Sequence, residues 1–300
     1  MKNRTTITKQ QDSKDNCQIC GNSFSYELIS KNRNHNGIEY KSKWVECVNC
    51  GSAHIDPYPT EVELLSYYSS GYVEQIYEYG SAADQNHKFH YSKSNEKIVF
   101  ENYGYSLKDA NITQVELKEM TILDYGCANG IFYTYLKNIC GESKNNIYGV
   151  DVESDMLEEC RKISPNFYST REIHKIEKQF DLITMWNVIE HIYNPKDAIK
   201  SMIRLLKEDG LIFLETPMYG SLGKKLGEDW SHYIAIEHIN LFSRSAIKQI
   251  FEDCGMKCIS ESSFRANLFG AIKPNVKKAL DQMAKEYDFG ATQVLCFKKI

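Results

Sequence analysis

The chain has 300 residues, of which 42% are hydrophobic and 25% are charged, with a net charge of −4 and a pI of about 6.1. This balance is typical of a globular protein with one large domain, or with one large and one small domain. No apolar run approaches the roughly 18 residues that cross a bilayer, and the polar start excludes a signal peptide or anchor. We therefore expect a cytoplasmic protein without a membrane partner.

The first predicted module is a zinc ribbon at residues 17–56, after a polar stretch, residues 1–16, that we expect to be disordered. It contains two Cys-x2-Cys-Gly motifs, whose four cysteines are Cys17, Cys20, Cys47 and Cys50. Four thiolates at this spacing suit tetrahedral Zn²⁺, and the gap between the motifs leaves room for a hairpin of Phe24–Ser30 with Tyr40–Glu46. We predict one structural zinc ion, the alternative being four free cysteines. The other six cysteines are expected in the core.

The charge of this ribbon bears on a nucleic-acid partner. Residues 1–56 contain eight Lys and Arg and six Asp and Glu, a surplus of only two positive charges. Phosphate-binding surfaces normally have basic clusters. We therefore regard nucleic acid as an improbable partner, and predict that the ribbon packs on a catalytic domain.

Residues 57–120 are predicted to link the ribbon to the catalytic domain. A Pro-rich turn precedes Thr60, which is an expected helix N-cap because Glu63 follows three residues later. Residues 69–83, rich in Tyr, Gly and Ser, fit either a mobile lid or an amphipathic packing segment, and residues 84–103 fit a helix before the first sheet strand.

A predicted strand, a glycine-containing loop and a predicted helix follow each other from Thr121 to Leu136. The strand Ile122–Tyr125 leads into Gly126 and Gly130, and a second strand, residues 146–151, ends at Asp151. Glycines let a ligand approach backbone N–H groups, and a carboxylate at the end of the second strand can accept both hydroxyls of a ribose. This pattern predicts a binding site for a nucleoside derivative.

The loop resembles the cofactor motif of class I S-adenosylmethionine (SAM)-dependent methyltransferases. The resemblance rests on Asp124-x-Gly126-x-Ala128-x-Gly130 followed by Asp151. It implies that Asp124 anchors the loop and the methionine end of SAM, that Asp151 binds the ribose, and that Gly126, Ala128 and Gly130 line the cofactor. Ala128 departs from the family, which has glycine there.

Strand and helix patterns alternate through the rest of the chain, which predicts an α/β fold with a doubly wound, Rossmann-like sheet. The resemblance implies the seven-stranded methyltransferase sheet, within a SAM-binding catalytic domain at residues 121–300. The predicted elements are helices at 154–162, 195–206 and 243–254, and strands at 166–169, 180–186, 211–216, 257–261 and 293–298.

Polar residues follow the predicted strand Phe180–Trp186. Trp186 and Asn187 are expected beside the cofactor, because open α/β sheets bind ligands at the carboxyl ends of their strands.

The next pair, Glu190-His191, resembles the Glu-His pair of ubiquinone-biosynthesis O-methyltransferases. Some relatives, including small-RNA 2′-O-methyltransferases, bind a divalent metal through E-x-x-E-H and a later His. Because Asn187 replaces the first acid, the favoured interpretation is a hydrogen-bonding pair that shapes the pocket.

An insertion without regular structure is predicted at residues 217–240, where a substrate would cover the methyl group. Glu237-His238-x3-Phe242-Ser243, with the N-terminal cysteine motifs, resembles sugar C-methyltransferases, in which the His is a base. The chain departs from them at Ala235, where a Tyr is expected, and lacks their long C-terminal domain, so we favour O-methylation over C-methylation. His238 is the predicted base; the lesser candidates are Glu237, Tyr219 and His191.

These observations predict a SAM-dependent methyltransferase with a structural zinc ion, acting on a small polar acceptor such as a sugar or nucleotide-sugar hydroxyl. Two alternatives stay open: an RNA methyltransferase that uses the ribbon to hold nucleic acid, and a non-catalytic SAM-binding protein. The sequence leaves the oligomeric state open.

Overall fold

The computed structural model describes residues 16–17, 19–22, 26–31, 43–68, 96–141, 144, 146–152, 154–234, 236–265 and 274–300. The chain divides into two compact units, each made of several segments. Unit 1 contains residues 1–60, 187–200 and 215–295, and unit 2 contains residues 61–186, 201–214 and 296–300. Within the described ranges, no helix is both long enough and apolar enough to cross a membrane.

The described residues contain nine α-helices. They are α1 (Glu61–Tyr68), α2 (Glu96–Asp109), α3 (Gln114–Glu119), α4 (Ile131–Cys140), α5 (Asp155–Ile163), α6 (Pro195–Leu205), α7 (Ser221–Leu226), α8 (Arg244–Glu252) and α9 (Pro274–Glu286). Helix α8 shows why such segments are helical: the Ser243 hydroxyl caps it by accepting from the Ala246 amide, and buried residues recur at helical spacing, including Ile247, Ile250 and Phe251.

The described residues contain eleven strands. They are β1 (Tyr26–Lys31), β2 (Lys43–Cys47), β3 (Ala53–Asp56), β4 (Ile122–Tyr125), β5 (Ile147–Asp151), β6 (Phe167–Ser169), β7 (Phe180–Trp186), β8 (Leu206–Pro217), β9 (Asn240–Leu241), β10 (Met256–Phe264) and β11 (Thr292–Lys299).

The larger sheet has seven strands in the order β10-β11-β8-β7-β4-β5-β6. Strand β4 pairs in parallel with both β5 and β7, Asp124 lying opposite Gly149 on one side and Thr184 on the other. The chain thus leaves β4, β5 and β7 at one edge of the sheet, where the residues after these strands meet. This architecture confirms the predicted Rossmann-like sheet.

The smaller sheet has the order β1-β2-β3-β9. Strands β1 and β2 form the predicted hairpin, with Tyr26 opposite Cys47. Strand β9 comes from the end of the insertion and pairs antiparallel with β3, so that His54 lies opposite Asn240. The ribbon sheet therefore contains a strand from a segment almost 200 residues further along the chain.

Several predicted elements differ from the structure. The insertion is not irregular: it contains α7, the 3₁₀ helix Gly227–Asp229 and the start of β9. The helix expected at residues 84–103 is observed as α2 from Glu96, and residues 84–95 lie outside the described residues. The expected lid, residues 69–83, and the expected disordered stretch, apart from Asn16, lie outside them as well.

Candidate functional site

The loop between β4 and α4 has the backbone conformation that its glycines permit. Gly126 and Gly130 have φ angles of 82° and 75°, in the left-handed region that side chains disfavour. Ala128 adopts a φ of 45° despite its Cβ, so the loop has the same left-handed turn where the family motif has glycine. The amides of Gly126 and Cys127 both donate to the carbonyl of Val150. The loop is thereby attached to the end of β5.

Asp151, the last residue of β5, accepts a hydrogen bond from this loop. One carboxylate oxygen accepts from the Ala128 amide at 2.6 Å and the other accepts from the Val152 amide at 2.7 Å. A carboxylate has about four acceptor sites, so these two bonds leave capacity for further donors. Asp151 is half-buried and fixed beside the loop, as a residue that accepts ribose hydroxyls has to be.

Asp124 is a second carboxylate at this edge of the sheet. Its side chain is buried and accepts a hydrogen bond of 2.8 Å from the hydroxyl of Thr184 on β7. Burial raises the pKa of Asp124 to about 7, the Thr184 hydrogen bond lowers it, and the charge of Asp151 raises it. Two carboxyl groups, one of them desolvated and each sensing the other's charge, thus lie at this edge of the sheet.

Trp186 lies at the end of β7 and packs among aromatic side chains. Its ring centroid lies 4.5 Å from Tyr103, 5.0 Å from Phe132 and 4.4 Å from Phe213. Its indole nitrogen is buried without a hydrogen-bond partner in the described part of the chain. Asn187, which follows it, has a φ of 54°, and its amide donates to the Glu215 carbonyl at 2.8 Å. Trp186 and Asn187, the two residues expected beside the cofactor, are thus each held by contacts within the protein.

In unit 1, three titratable residues form a cluster: Glu190, His191 and His238. The rings of His191 and His238 lie 4.9 Å apart, and Nε2 of His191 lies 3.9 Å from Oε1 of Glu190. The other carboxylate oxygen of Glu190 accepts a 2.9 Å hydrogen bond from the Thr216 hydroxyl. The structure therefore brings the predicted base, His238, to the Glu-His pair at the end of β7.

Burial governs the charges in this cluster. It raises the pKa of Glu190 to about 8, against the lowering effect of hydrogen bonds from its own backbone and Thr216. The charges of Glu215 and Glu237 raise it further. Burial lowers the pKa of His191 to about 4, although backbone hydrogen bonds with Glu237 and Asn187 oppose this shift. A neutral imidazole therefore lies beside a carboxyl group that stays protonated to unusually high pH.

Backbone carbonyls orient both rings. Nδ1 of His191 contacts the carbonyl oxygen of Glu237, and Nδ1 of His238 contacts the carbonyl oxygen of His232 at 2.8 Å. A carbonyl only accepts, so each Nδ1 carries the proton and each neutral ring has its lone pair on Nε2. The carbonyl of Glu237 thus holds the ring of His191, whereas the carbonyl of His232 orients the ring of His238.

Tyr219 is poorly suited to be a base. Its ring is buried, and its hydroxyl donates to Oε2 of Glu46 on β2 at 2.8 Å. Burial, followed by the charges of Tyr233 and Glu46, raises its pKa well above the ordinary phenol range, so the hydroxyl keeps its proton. Lys224 pairs with the other oxygen of Glu46. This arrangement attaches the insertion to the ribbon.

The ribbon also holds the residues that follow His238. The Ile239 amide donates to the Glu190 carbonyl at 3.0 Å, and β9, which begins one residue later, pairs with β3. Ser243 is fixed twice: its amide donates to the Ser52 hydroxyl at 2.9 Å, and its hydroxyl donates to the Cys50 carbonyl at 2.7 Å. His238 therefore lies between the Glu190 turn and the ribbon sheet.

The four ribbon cysteines converge. Sγ of Cys17 lies 3.9 Å from Sγ of Cys50, and Sγ of Cys20 lies 4.0 Å from Sγ of Cys47. A tetrahedral ZnS₄ site has sulfur atoms about 3.8 Å apart, given Zn–S bonds of about 2.3 Å. Hydrogen bonds with Cys47 and Cys50 raise the pKa of Cys17, and the hydrogen bond with Cys17 lowers the pKa of Cys47. The donor set and its spacing fit a tetrahedral metal ion.

Three contributors to these sites lack a sequence signal. Thr216 binds Glu190, Glu46 binds Tyr219, and the carbonyl of His232 orients His238. The contacts made by Thr216 and Glu46 join segments that are distant in the sequence and meet only because of the fold. His232 and His238, in contrast, belong to the same turn. The residues Thr216-Pro217, which end the buried part of β8, give no sequence signal of a partner for Glu190.

Comparison with known proteins identifies the family. The family model described as "Methyltransferase domain" matches residues 97–261, which is more than half of the chain. The structure also resembles a crystal structure of a SAM-dependent methyltransferase from Archaeoglobus fulgidus, with a TM-score of 0.51 and 17% identity. The similarity covers 78% of this chain and 100% of that one, which supports the fold.

Curated relatives are distant and similar over part of their length. The ubiquinone biosynthesis O-methyltransferase of Glaesserella parasuis is 32% identical over 108 residues, covering 32% of this chain and 44% of that protein. The mitochondrial enzyme of the same name from Saccharomyces cerevisiae is 26% identical over 138 residues, covering 43% and 44%. The chain thus spans less than half the length of these relatives. From its family match and its sheet, the chain belongs to the methyltransferase-domain family.

Proposed function

We propose that the protein transfers the methyl group of SAM to a hydroxyl oxygen of a small polar acceptor, with His238 as the group that accepts the hydroxyl proton. The observation that carries this proposal is the orientation of His238: Nδ1 contacts the His232 carbonyl, so the lone pair lies on Nε2. SAM already contains a good leaving group, so the protein needs mainly to align the reactants and to remove one proton.

For the cofactor, we propose that Gly126, Ala128 and Gly130 line SAM, that Asp151 accepts the ribose hydroxyls, and that Asp124 faces its methionine end. The half-buried carboxylate of Asp151 and the left-handed loop beside it support this assignment. Charge-assisted hydrogen bonds of this kind contribute about 1.5–3 kcal/mol each. Trp186, the last residue of β7, and Asn187, which follows it, complete the proposed cofactor set.

For the ribbon, we propose that Cys17, Cys20, Cys47 and Cys50 hold one structural zinc ion. The sulfur separations of 3.9 and 4.0 Å support it, as does the matching geometry of the two motifs. In each, the glycine amide donates to the carbonyl of the first cysteine at 2.8 Å, and the glycine has a positive φ. No catalytic step requires this ion; its contribution is to fold the ribbon.

For the acceptor, two classes have specific support. The Glu237-His238-x3-Phe242-Ser243 pattern favours a sugar or nucleotide-sugar hydroxyl, which is our first choice. The relatives named ubiquinone biosynthesis O-methyltransferases favour an acceptor oxygen on a ubiquinone precursor. RNA is disfavoured by the weak charge surplus of residues 1–56.

The test is methyl transfer from labelled SAM to a panel of nucleotide sugars, ubiquinone precursors and structured RNA. We expect label in a small polar product with wild-type protein and at least a 100-fold lower rate with His238→Ala. His174→Ala, which changes an exposed histidine, is the matched control and should be as active as wild type. Label recovered in RNA, or an unchanged rate in His238→Ala, would contradict the proposal.

A further inference from the structure

We propose that Glu190 is a positioning residue for the proton transfer: as a carboxylate, it stabilises the imidazolium that forms when His238 takes the proton of the acceptor hydroxyl. This inference rests on the proposed function and adds to it a residue that need not touch the substrate. A carboxylate oxygen of Glu190 and a ring nitrogen of His238 lie within 4.8 Å of each other. Opposite charges attract strongly at this distance in a buried site.

The first supporting observation is the bonding of the Glu190 carboxyl group. Its Oε2 accepts from the Thr216 hydroxyl at 2.9 Å, whereas its buried Oε1 has no hydrogen-bond partner among the described residues. Oε1 lies 3.9 Å from Nε2 of His191, too far for a hydrogen bond. Buried carboxyl oxygens without partners are rare and costly. An imidazolium at His238 provides the positive charge that Oε1 lacks.

The second supporting observation is the fixed ring of His238. The side chain is buried, and its Nδ1 contacts the His232 carbonyl at 2.8 Å. The rings of His191 and His232 lie 4.9 and 5.8 Å from it. A ring whose Nδ1 donates to a carbonyl takes its second proton at Nε2 without rotating. Because burial disfavours an imidazolium, a neighbouring negative charge makes His238 a more effective base.

The charge of Glu190 depends on pH. Burial raises its pKa to about 8, so the carboxyl group is mostly protonated at neutral pH and ionises as pH rises through about 8. The proposal requires the ionised form, which hydrogen bonds from its own backbone and from Thr216 favour. The charged and titratable groups that face Glu190 are His191, His238, Glu237 and Glu215, the last of which lies 3.8 Å from Arg265.

In the proposed step, the acceptor O–H bond breaks and its proton goes to Nε2 of His238. The freed oxygen lone pair forms the O–CH₃ bond, while the electron pair of the S–CH₃ bond stays on sulfur and gives S-adenosylhomocysteine. The imidazolium lies beside the Glu190 carboxylate until its proton passes to water after product release. The buried aspartate of a Ser-His-Asp triad acts similarly, since it stabilises an imidazolium without taking the proton.

The test compares two substitutions that separate charge from shape. Glu190→Gln keeps the size of the side chain and removes the charge, whereas Glu190→Asp keeps the charge on a shorter side chain. With the acceptor of the panel that takes most label from wild type, we expect kcat about 100-fold lower in Glu190→Gln and within about tenfold of wild type in Glu190→Asp. Calorimetry should show SAM affinity within about twofold of wild type in both. A merely structural role predicts the opposite order, because Gln is the closer replacement in shape.

The pH profile and a measurement without acceptor complete the test. The kcat/KM of wild type should rise as pH passes about 8, where Glu190 ionises, and Glu190→Gln should lack this rise. In protein labelled with ¹³C-histidine, the ring signal of His238, identified by its loss in His238→Ala, should shift over the same pH range in wild type and not in Glu190→Gln. His174→Ala, which changes an exposed histidine, should match wild type in both measurements.

The outcomes separate this inference from the proposed function. Equal kcat in Glu190→Gln and wild type, or a lower kcat in Glu190→Asp than in Glu190→Gln, overturns the role of Glu190, as does a wild-type His238 signal that is constant near pH 8. If Glu190→Gln retains the rate while His238→Ala loses it, only this role fails and the proposed function stands. If both retain the rate, the proposed function fails as well. Should Glu190→Gln not fold, the wild-type His238 signal and the rate of Glu190→Asp decide.

Discussion

The residues of the cofactor loop in unit 2 lie close together in the sequence, whereas those of the histidine cluster in unit 1 come from more distant segments. Asp124, Ala128 and Asp151 lie within 28 residues of each other, and the same stretch contains the strand, turn and second strand that position them. Glu190 and His238 are 48 residues apart, and the segment after His238 is held by a ribbon strand near residue 54. Local order can therefore specify the first region, whereas the second depends on long-range pairing.

This difference predicts that the two regions can be disabled separately. The largest effect should come from Cys47→Ser, because structural zinc contributes on the order of 10 kcal/mol to folding such modules. Loss of the ribbon would release β9 and Ser243, and with them His238. We expect loss of the ribbon zinc, a fall in methyl transfer of at least 100-fold, and SAM affinity within about twofold of wild type.

Metal analysis, methyl-transfer assays and SAM calorimetry on the same preparation check this prediction. Cys258→Ser is the matched control, because Cys258 lies on β10 and its thiol donates to the Ser260 carbonyl at 3.5 Å. Normal methyl transfer by zinc-free Cys47→Ser would show that the ribbon does not hold His238.

A second prediction compares the two buried carboxylates, each of which accepts from a threonine on a neighbouring strand. Thr216→Val removes the donor to Glu190, and Thr184→Val removes the donor to Asp124. Each change leaves a buried acceptor with one fewer partner and should lower the free energy of unfolding by about 1–3 kcal/mol. Thermal unfolding measures both; equal stability of either variant and wild type would show that its carboxyl group does not depend on threonine.

A third prediction concerns pH and Asp124. The folded-state pKa of about 7 exceeds the ordinary aspartate value of about 3.9, so between these values the folded protein holds a proton that the unfolded chain has lost. This contribution to stability is complete below the lower value and is lost as pH rises through about 7. Thermal unfolding without SAM should give a smaller fall in Tm between pH 5 and pH 8 for Asp124→Asn than for wild type. A fall of the same size in both would place the pH dependence elsewhere, Glu190 being the next candidate.

The smallest expected effect is at the attachment of the insertion to the ribbon. Glu46→Gln removes the charge that pairs with Lys224, and Tyr219→Phe removes only the hydroxyl that donates to Glu46. We expect methyl transfer about 2- to 10-fold slower in each, with unchanged SAM affinity. Glu158→Gln, which breaks an exposed pair with Arg161 on α5, should leave the rate unchanged. If Glu158→Gln slowed methyl transfer as much as Glu46→Gln, the contacts of Glu46 with Tyr219 and Lys224 would have no special role in the reaction.

The same contrast explains what the sequence could predict. The cofactor loop and the cysteine motifs were predictable, because Gly126, Gly130, Gly21 and Gly51 mark left-handed turns directly in the sequence. The alternating strand and helix patterns are also local features of the sequence, and they predicted the larger sheet. Neither the pairing of β9 with β3 nor the bond from Thr216 to Glu190 follows from local pattern. Helix α9 was not predicted, although Pro274 stands at its first position, where proline is a helix-start signal.

The most direct test of the account is calorimetric titration of SAM into Asp151→Ala and His238→Ala side by side. We propose cofactor binding at the loop that Asp151 holds and acceptor activation at the separate His238 cluster. Under this proposal, Asp151→Ala binds SAM at least about 10-fold more weakly than wild type, and His238→Ala binds it within about twofold of wild type. Unchanged SAM affinity in folded Asp151→Ala, or loss of SAM binding in folded His238→Ala, would contradict it.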